Sequence, residues 1–128
     1  MTVNVQFGDI QELETALRAG VLFKFSGTGD ADVFLGSPVM ARALDRMLNA
    51  IQDHWSAAGD QRRAESWRDL YVVSKAERHV PLISSCALSH PKWNTMTRRE
   101  QLEWVQVIAS PYRLDDPGIE FFEQILKN

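Results

Sequence analysis

The chain has 128 residues and a mass of 14.6 kDa, a length typical of one domain built around a single hydrophobic core. Hydrophobic residues make up 45% and charged residues 24% of the chain, which excludes a disordered tail, a collagen-like chain and a disulfide scaffold. The formal net charge of −3 argues against broad, sequence-independent binding of nucleic acid. We therefore expect a single domain over residues 1–128.

The first residues have the pattern of a β-strand. Val3, Val5 and Phe7 alternate with polar residues, which is the period of a half-buried strand, and Gly8 ends the pattern. The helical spacing of the apolar residues that follow predicts a short amphipathic helix over residues 10–19. A strand followed by a short helix is therefore expected at the start of the chain.

A hairpin is expected next. Residues 21–25 form a mostly apolar run of strand length, and residues 32–35 form a second one. Residues 27–30 between them contain two glycines, which adopt positive φ without a steric penalty and favour a turn. We expect the two runs to pair as antiparallel strands.

The rest of the chain has helical patterns. Ser37 and Pro38 are typical of a helix start, and the apolar stripe that follows predicts a helix over residues 38–58. Residues 79–96 also favour a helix. Further helix starts are predicted at Asp60, Thr97 and Asp116. This order predicts an α+β fold, mainly helical, with a short N-terminal strand and hairpin packed against about five helices.

The sequence contains no complete motif for a phosphate group, a metal or a cofactor. Residues 27–30 lack the further glycine of a dinucleotide loop and the Lys-Ser/Thr ending of a P-loop. Asp30 and Asp32 resemble the start of a calcium loop, but its twelfth position is Ala41 instead of glutamate. The histidines lack the spacing of a helical zinc pair: His54, His79 and His90. We expect neither a metal nor a cofactor.

The apolar runs and the cysteine content indicate the compartment. No run reaches the roughly 18 residues of a membrane helix, and no basic residue precedes an apolar region as in a signal peptide. The single cysteine, Cys86, has no partner for an internal disulfide, which favours a reducing environment. We therefore expect a cytoplasmic protein with no membrane partner.

Charge is unevenly distributed along the chain. Residues 1–59 carry a net charge of −3, residues 60–99 a net charge of +4, and residues 100–128 a net charge of −4. We expect the acids of the last segment, with two tryptophans, to bind a partner: Asp115, Asp116, Glu120, Glu123, Glu100, Glu103, Trp104 and Trp93. Trp104 lies off the apolar stripe of its helix and Trp93 lies in a polar stretch, so both are expected to be exposed.

These features predict a protein-binding module that docks a basic partner through an acidic surface. Complementary charge speeds the encounter of two proteins and rejects wrong partners. A small, acidic domain without a catalytic motif is similar in character to bacterial immunity proteins, which inactivate a cognate nuclease toxin. This resemblance is one of size and charge only, and it implies a toxin inhibitor whose basic partner is a toxin domain. The sequence favours binding over catalysis, and we assign no catalytic residue.

Two other functions remain open. A small enzyme or ligand-binding domain would gather five scattered polar side chains in one pocket: Asp30, Asp32, His54, Cys86 and His90. An RNA-binding protein would use the basic segment of residues 60–99 to follow a phosphate backbone, with Trp93 stacking on a base. The acids interleaved among those bases favour solvated helix faces instead. An open acidic surface would favour the binding module over the enzyme.

Overall fold

The computed structural model describes residues 2–128, and all regular secondary structure in that range is helical. The α-helices are α1 (Ile10–Lys24), α2 (Gly29–Leu35), α3 (Pro38–Ala57), α4 (Gln61–Leu70), α5 (Val80–Leu88), α6 (Arg98–Ala109) and α7 (Asp116–Glu120). Three short 3₁₀ turns join them: Val73–Lys75, Glu77–His79 and Trp93–Thr95. Over residues 2–128, β pairing is limited to one isolated bridge between Val72 and Arg113. The fold is therefore all-helical, and the predicted α+β class is wrong.

The predicted N-terminal strand does not form in the described chain, and the first strand of the predicted hairpin is helical. Residues 2–7 have no regular secondary structure. Residues 21–25 continue α1 into its C-terminal cap: Val21, Lys24 and Phe25 are buried, and the two residues between them are exposed. Burial at every third or fourth residue is the spacing of a helix. In an apolar run this short, the spacing of the apolar residues does not distinguish a strand from a helix.

The second predicted strand of the hairpin is also helical. Residues 32–35 belong to α2, in which Ala31 and Leu35 are buried four positions apart. That spacing places both side chains on one face of a helix. The predicted turn is present in a different role, because Gly27 lies between α1 and α2 with φ at +74°. Two helices joined by a short turn therefore stand where the sequence predicted a β-hairpin.

The predicted start of α3 is confirmed. Ser37 Oγ accepts a hydrogen bond from the Met40 N–H at 3.1 Å, and the apolar stripe that follows is buried, with Leu48 at 0% exposure. The helix predicted over residues 10–19 extends further, and Gly20 lies inside α1 at its crossing with α3. A Cβ at that position would lie 2.9 Å from Leu44 Cδ2. Gly20 therefore permits a close helix–helix approach instead of a helix end.

The predicted helix starts at Asp60 and Thr97 are also confirmed, whereas the last helix has Asp115 at its N-cap and begins one residue earlier than predicted. Asp60 accepts a hydrogen bond from the Arg63 N–H at 3.1 Å, and Thr97 and Glu100 form a capping box at the start of α6. The helix favoured within residues 79–96 is α5. Side chains that cap a helix three residues later act locally, so their effect can be predicted from the sequence.

The hydrophobic core lies around α3, which packs against α1, α4 and α6. α5 packs against α6, and α7 packs on the 3₁₀ turn at Val73–Lys75. Gly118 allows this last contact, because a Cβ there would lie 2.8 Å from Val73 Cβ. None of the helices described over residues 2–128 combines the length and the apolar character needed to cross a membrane.

Candidate functional site

The predicted partner-binding acids lie around the junction of α6 and α7, a surface that we call the acidic corner: Glu100, Glu103, Asp115, Asp116, Glu120 and Glu123. Five of these side chains are exposed, and Asp115 is half-buried. Arg98 links the start of α6 to the segment that follows α7, since its guanidinium donates two hydrogen bonds to Glu123, at 2.7 and 3.1 Å. These hydrogen bonds lower the pKa of Glu123 below its ordinary value. The fold therefore holds Glu123, which follows α7, beside the start of α6, the helix that carries Glu100 and Glu103.

Two other acids of the corner are bound within the chain. Asp115 accepts hydrogen bonds from the Ser74 N–H at 3.0 Å and from the Ser74 hydroxyl. Partial burial acts to raise the pKa of Asp115, but these hydrogen bonds outweigh it and hold that pKa below its ordinary value. Hydrogen bonds from Thr97 likewise lower the pKa of Glu100. The remaining acids of the corner are Glu103, Asp116 and Glu120.

A groove of about 530 Å³ lies between α6 and α7. Its walls are formed by Arg98, Arg99, Leu102, Glu103, Gln106, Leu114 and Ile119. Gln106 Nε2 donates hydrogen bonds to Ser110 Oγ at 3.1 Å and to Tyr112 O at 3.0 Å. Gln106 Oε1 accepts one from the Leu114 N–H at 2.8 Å. The groove thus combines apolar and polar side chains, as protein–protein interfaces do.

The two predicted tryptophans do not join the acidic corner. Trp93 is 4% exposed and lies in the core, so the prediction that it is exposed is wrong. Trp104 is half-buried on the side of α6 that faces α5, where its ring packs edge-on against His90 with 5.2 Å between ring centres. The same ring would contact a Cβ at Gly36 at 3.1 Å. Both tryptophans thus contribute to packing in the single chain.

The five polar side chains of the enzyme hypothesis do not meet in one pocket. Asp32 and Cys86 line a pocket of about 280 Å³ between α2 and α5, and His54 lines a separate groove between α1 and α3. Asp30 and His90 line neither of these. Burial raises the pKa of the Cys86 thiol, whereas a nucleophilic cysteine needs a lowered one. Within residues 2–128, no three His, Cys, Asp or Glu residues are placed to hold a metal ion.

A buried lysine marks a polar site that the sequence did not indicate. Lys24 is 1% exposed, and its ammonium donates hydrogen bonds to Ser110 O at 2.6 Å and to Val107 O at 3.2 Å. Burial lowers the pKa of Lys24 to about 8, although the charge of Asp45 acts in the opposite direction. The only sequence signal was a lysine inside an apolar run.

A pocket of about 280 Å³, which we call the polar pocket, lies close to this lysine. Its walls are formed by Asp45, Asn49, Arg68, Gln106, Ser110, Pro111 and Arg113. Arg68 donates to Tyr71 O at 2.7 Å and to Pro111 O at 2.9 Å, and its Nε is buried with no partner in residues 2–128. Burial raises the pKa of Asp45, while the charges of Arg68 and Lys24 act to lower it. No ion pair among residues 2–128 joins Asp45 to a base.

Several bases of the segment 60–99 are held by contacts within the chain. The Arg63 guanidinium lies over the ring of Trp55, 3.9 Å from the ring centre. Arg68 is bound beside the polar pocket, and Arg98 is paired with Glu123. A phosphate group would have to compete with these contacts for the same cations. Three of the bases on which the RNA-binding hypothesis depends are therefore already engaged within the chain.

The class of protein that these features define is an all-helical chain with an acidic corner, an apolar groove beside it and a separate polar pocket. No protein-family model, curated protein or solved structure matches the chain. Its function is therefore inferred from the geometry and charge of these sites.

Proposed function

We propose that the chain is a protein-binding module that docks a basic protein partner at the acidic corner. The observation that carries this proposal is the groove between α6 and α7, whose walls combine Leu102, Leu114 and Ile119 with Glu103, the one acid of the corner that lines it. Apolar contacts supply most of the affinity in such an interface, and the surrounding charges steer and select the partner. Residues 100–128 carry a net charge of −4, which favours a partner of positive charge.

The acids of the corner differ in what they offer a partner. Glu103 pairs with Arg99 at 3.3 Å, but the two side chains are 67% and 89% exposed, so the pair is weak and open to exchange. Asp116 and Glu120 are exposed, and their carboxylates make no hydrogen bond within residues 2–128. We assign the steering of a basic partner to Glu103, Asp116 and Glu120.

The partner we propose is a basic toxin domain, which the chain would inactivate as an immunity-type inhibitor. A nuclease presents cations to the phosphates of its substrate. A surface rich in carboxylates complements the same cations, so an acidic protein docked there excludes the nucleic acid. This action requires no catalytic group on the inhibitor.

Charge-neutralising variants test the proposal. The corner variant combines Glu103→Gln, Asp116→Asn and Glu120→Gln and leaves the internally bound acids intact. The control variant removes the same charge at exposed positions elsewhere: Asp30→Asn, Asp53→Asn and Glu77→Gln. Stopped-flow association is measured at several salt concentrations with the basic protein that copurifies with the chain from its native cell. The corner variant should associate about tenfold more slowly at low salt and lose much of its salt dependence, unlike the control.

Two results would contradict this function. Equal association rates and equal salt slopes for the two variants would remove the acidic corner from the interface. A partner that keeps full nuclease activity when saturated with the chain would show that docking does not inhibit it. The second result would leave a binding module without an immunity role.

A second candidate function, binding of a small ligand, is favoured by the polar pocket. Arg113 offers donors for a carboxylate, and Asp45 offers an acceptor for an ammonium group, so the pocket fits a zwitterion such as a free amino acid. Isothermal titration with the free amino acids tests this. Binding that Asn49→Leu abolishes would support it, and the absence of heat with every amino acid would refute it.

A further inference from the structure

The N-terminal arm, which we define as residues 2–7, carries apolar side chains that the single chain leaves uncovered. Val3, Val5 and Phe7 are 74%, 73% and 42% exposed. Within residues 2–128, no hydrogen bond uses the backbone of the arm; the first N–H with a partner is that of Gly8, which donates to the Glu12 carboxylate. Both the apolar side chains and the backbone of the arm are therefore available to a partner.

The arm lies along an open groove of about 660 Å³ between α1 and α3. The apolar part of the helix walls consists of Ile10, Leu13, Ala43, Met47 and Ala50. Three apolar residues of the arm line the same groove without filling it, since two of them remain about three-quarters exposed. An apolar surface of this kind on a folded chain marks a site of association.

The arm has the residues of a strand but has no strand to pair with. Valine and phenylalanine favour strands, and their alternation places them on one face of an extended chain. An isolated strand is not stable, and its unpaired backbone groups are a template for pairing with another chain. A local pattern that the single-chain fold does not satisfy is expected at functional sites. A strand that pairs with the arm would therefore come from another chain.

The arm is complementary to a second copy of itself. When two arms run antiparallel with Val5 opposite Val5, Val3 of each copy lies opposite Phe7 of the other, and Asn4 lies opposite Gln6. Opposite residues project from the same face, so this register collects all apolar side chains on one face and the polar ones on the other. Residues 1–8 contain no charged side chain, so like charges do not oppose this pairing.

We propose that the chain binds a second copy of itself through the arms, which pair as antiparallel strands about a two-fold axis at Val5. The apolar face of the resulting ribbon covers the α1–α3 groove of both copies. A two-fold axis is the commonest symmetry of protein dimers and requires a self-complementary surface, which this register supplies. The acidic corner is not involved, so this dimer stands independently of the proposed partner.

Charge substitutions at Val5 test the register, because the two-fold axis places this residue opposite itself. Val5→Lys and Val5→Glu should each raise the dimer dissociation constant about tenfold or more, since each opposes like charges and removes apolar burial from both arms. The two variants mixed together should form a heterodimer, because lysine then faces glutamate. Val33→Lys is the control: Val33 is 70% exposed on α2, close to the 73% of Val5, and its variant should keep the parent dissociation constant.

Sedimentation velocity over a range of protein concentrations measures these constants, and amide hydrogen exchange locates the interface. The amides of residues 3–7 should exchange slowly in concentrated protein and rapidly after dilution. The proposal is overturned if the chain is monomeric at every concentration, or if the mixed Val5 variants fail to associate. It is also overturned if Val33→Lys disrupts the dimer and Val5→Lys does not, or if the arm amides exchange freely in the dimer. Protection that persists in protein diluted until sedimentation detects only monomer would show pairing within one chain and would equally refute it.

Discussion

The buried ammonium of Lys24 should make the stability of the fold depend on pH in the alkaline range. Burial lowers the pKa of this group from 10.5 to about 8, with the charges of Asp45 and Cys86 acting in the opposite direction. Between these two pH values the unfolded chain holds a proton that the folded chain has released, so the free energy of unfolding rises with pH. At 1.36 kcal/mol per unit of pKa, the rise is about 3 kcal/mol.

The substitution Lys24→Met isolates this contribution, because the other groups titrate in both proteins. Methionine keeps a long flexible side chain in the core and removes the ammonium. The free energy of unfolding of the parent, relative to the variant, should be constant below about pH 8, rise by about 3 kcal/mol up to pH 10.5, and be constant above it. Urea unfolding at a series of pH values measures this difference. Lys75→Met, at an exposed position, controls for the loss of one positive charge.

The sign of the slope decides whether burial dominates at Lys24. The part of the hydrogen bonds to Ser110 O and Val107 O that the ammonium and the neutral amine make equally well moves the whole curve of the variant by a constant. Only the part that favours the ammonium changes the slope. A difference that stays flat between pH 8 and pH 10.5 would show that burial and favourable contacts cancel. A difference that falls with pH would show that the two carbonyls stabilise the ammonium by more than burial costs. Either result would refute the claim that burial dominates the pKa of Lys24.

Three further substitutions test the packing and the caps by urea unfolding. Gly118→Ala should destabilise the fold by about 1–3 kcal/mol, because its Cβ would lie 2.8 Å from Val73 Cβ. The control Gly29→Ala should not destabilise it, because a Cβ at Gly29 would have nothing within 4 Å. Equal stability of the two variants would contradict this. Leu48→Ala should cost about 2–5 kcal/mol, since Leu48 is 0% exposed, and a cost below about 1 kcal/mol would place it outside the core. Thr97→Ala should cost about 1 kcal/mol by removing the acceptor of the Glu100 N–H at 3.2 Å, and an unchanged midpoint would contradict this role.

Those parts of the fold that depend on local contacts could be predicted from the sequence. The starts of α3 and α6 are fixed by Ser37 and Thr97, whose side chains accept hydrogen bonds from N–H groups three residues later. The C-terminal end of α1 could not be predicted, because Gly20 acts through a side chain of α3 that is far away in the sequence. Its apolar run over residues 21–25 suits a strand as well as a helix, and packing against the core decides between them.

The candidate site was predicted as two tryptophans, which pack inside the chain instead, and six acids. The exposure of the acids follows from composition, but their use within the chain depends on partners distant in sequence. Ser74 and Asp115 are 41 positions apart, and Arg98 and Glu123 are 25 positions apart. The site at Lys24 depends on Ser110, which is 86 positions away, so no periodicity or spacing could indicate it. Only the tertiary structure determines which charges are already satisfied.

Gln106 determines how freely the groove can change shape. Its side chain fixes the backbone of residues 112 and 114 and the hydroxyl of residue 110 before any partner arrives. A docking protein would therefore meet a wall already in its bound shape, and little conformational entropy would be lost on this side of the contact. The ordering cost of association would then fall mainly on the incoming molecule, so a pre-organised partner would gain the most affinity here.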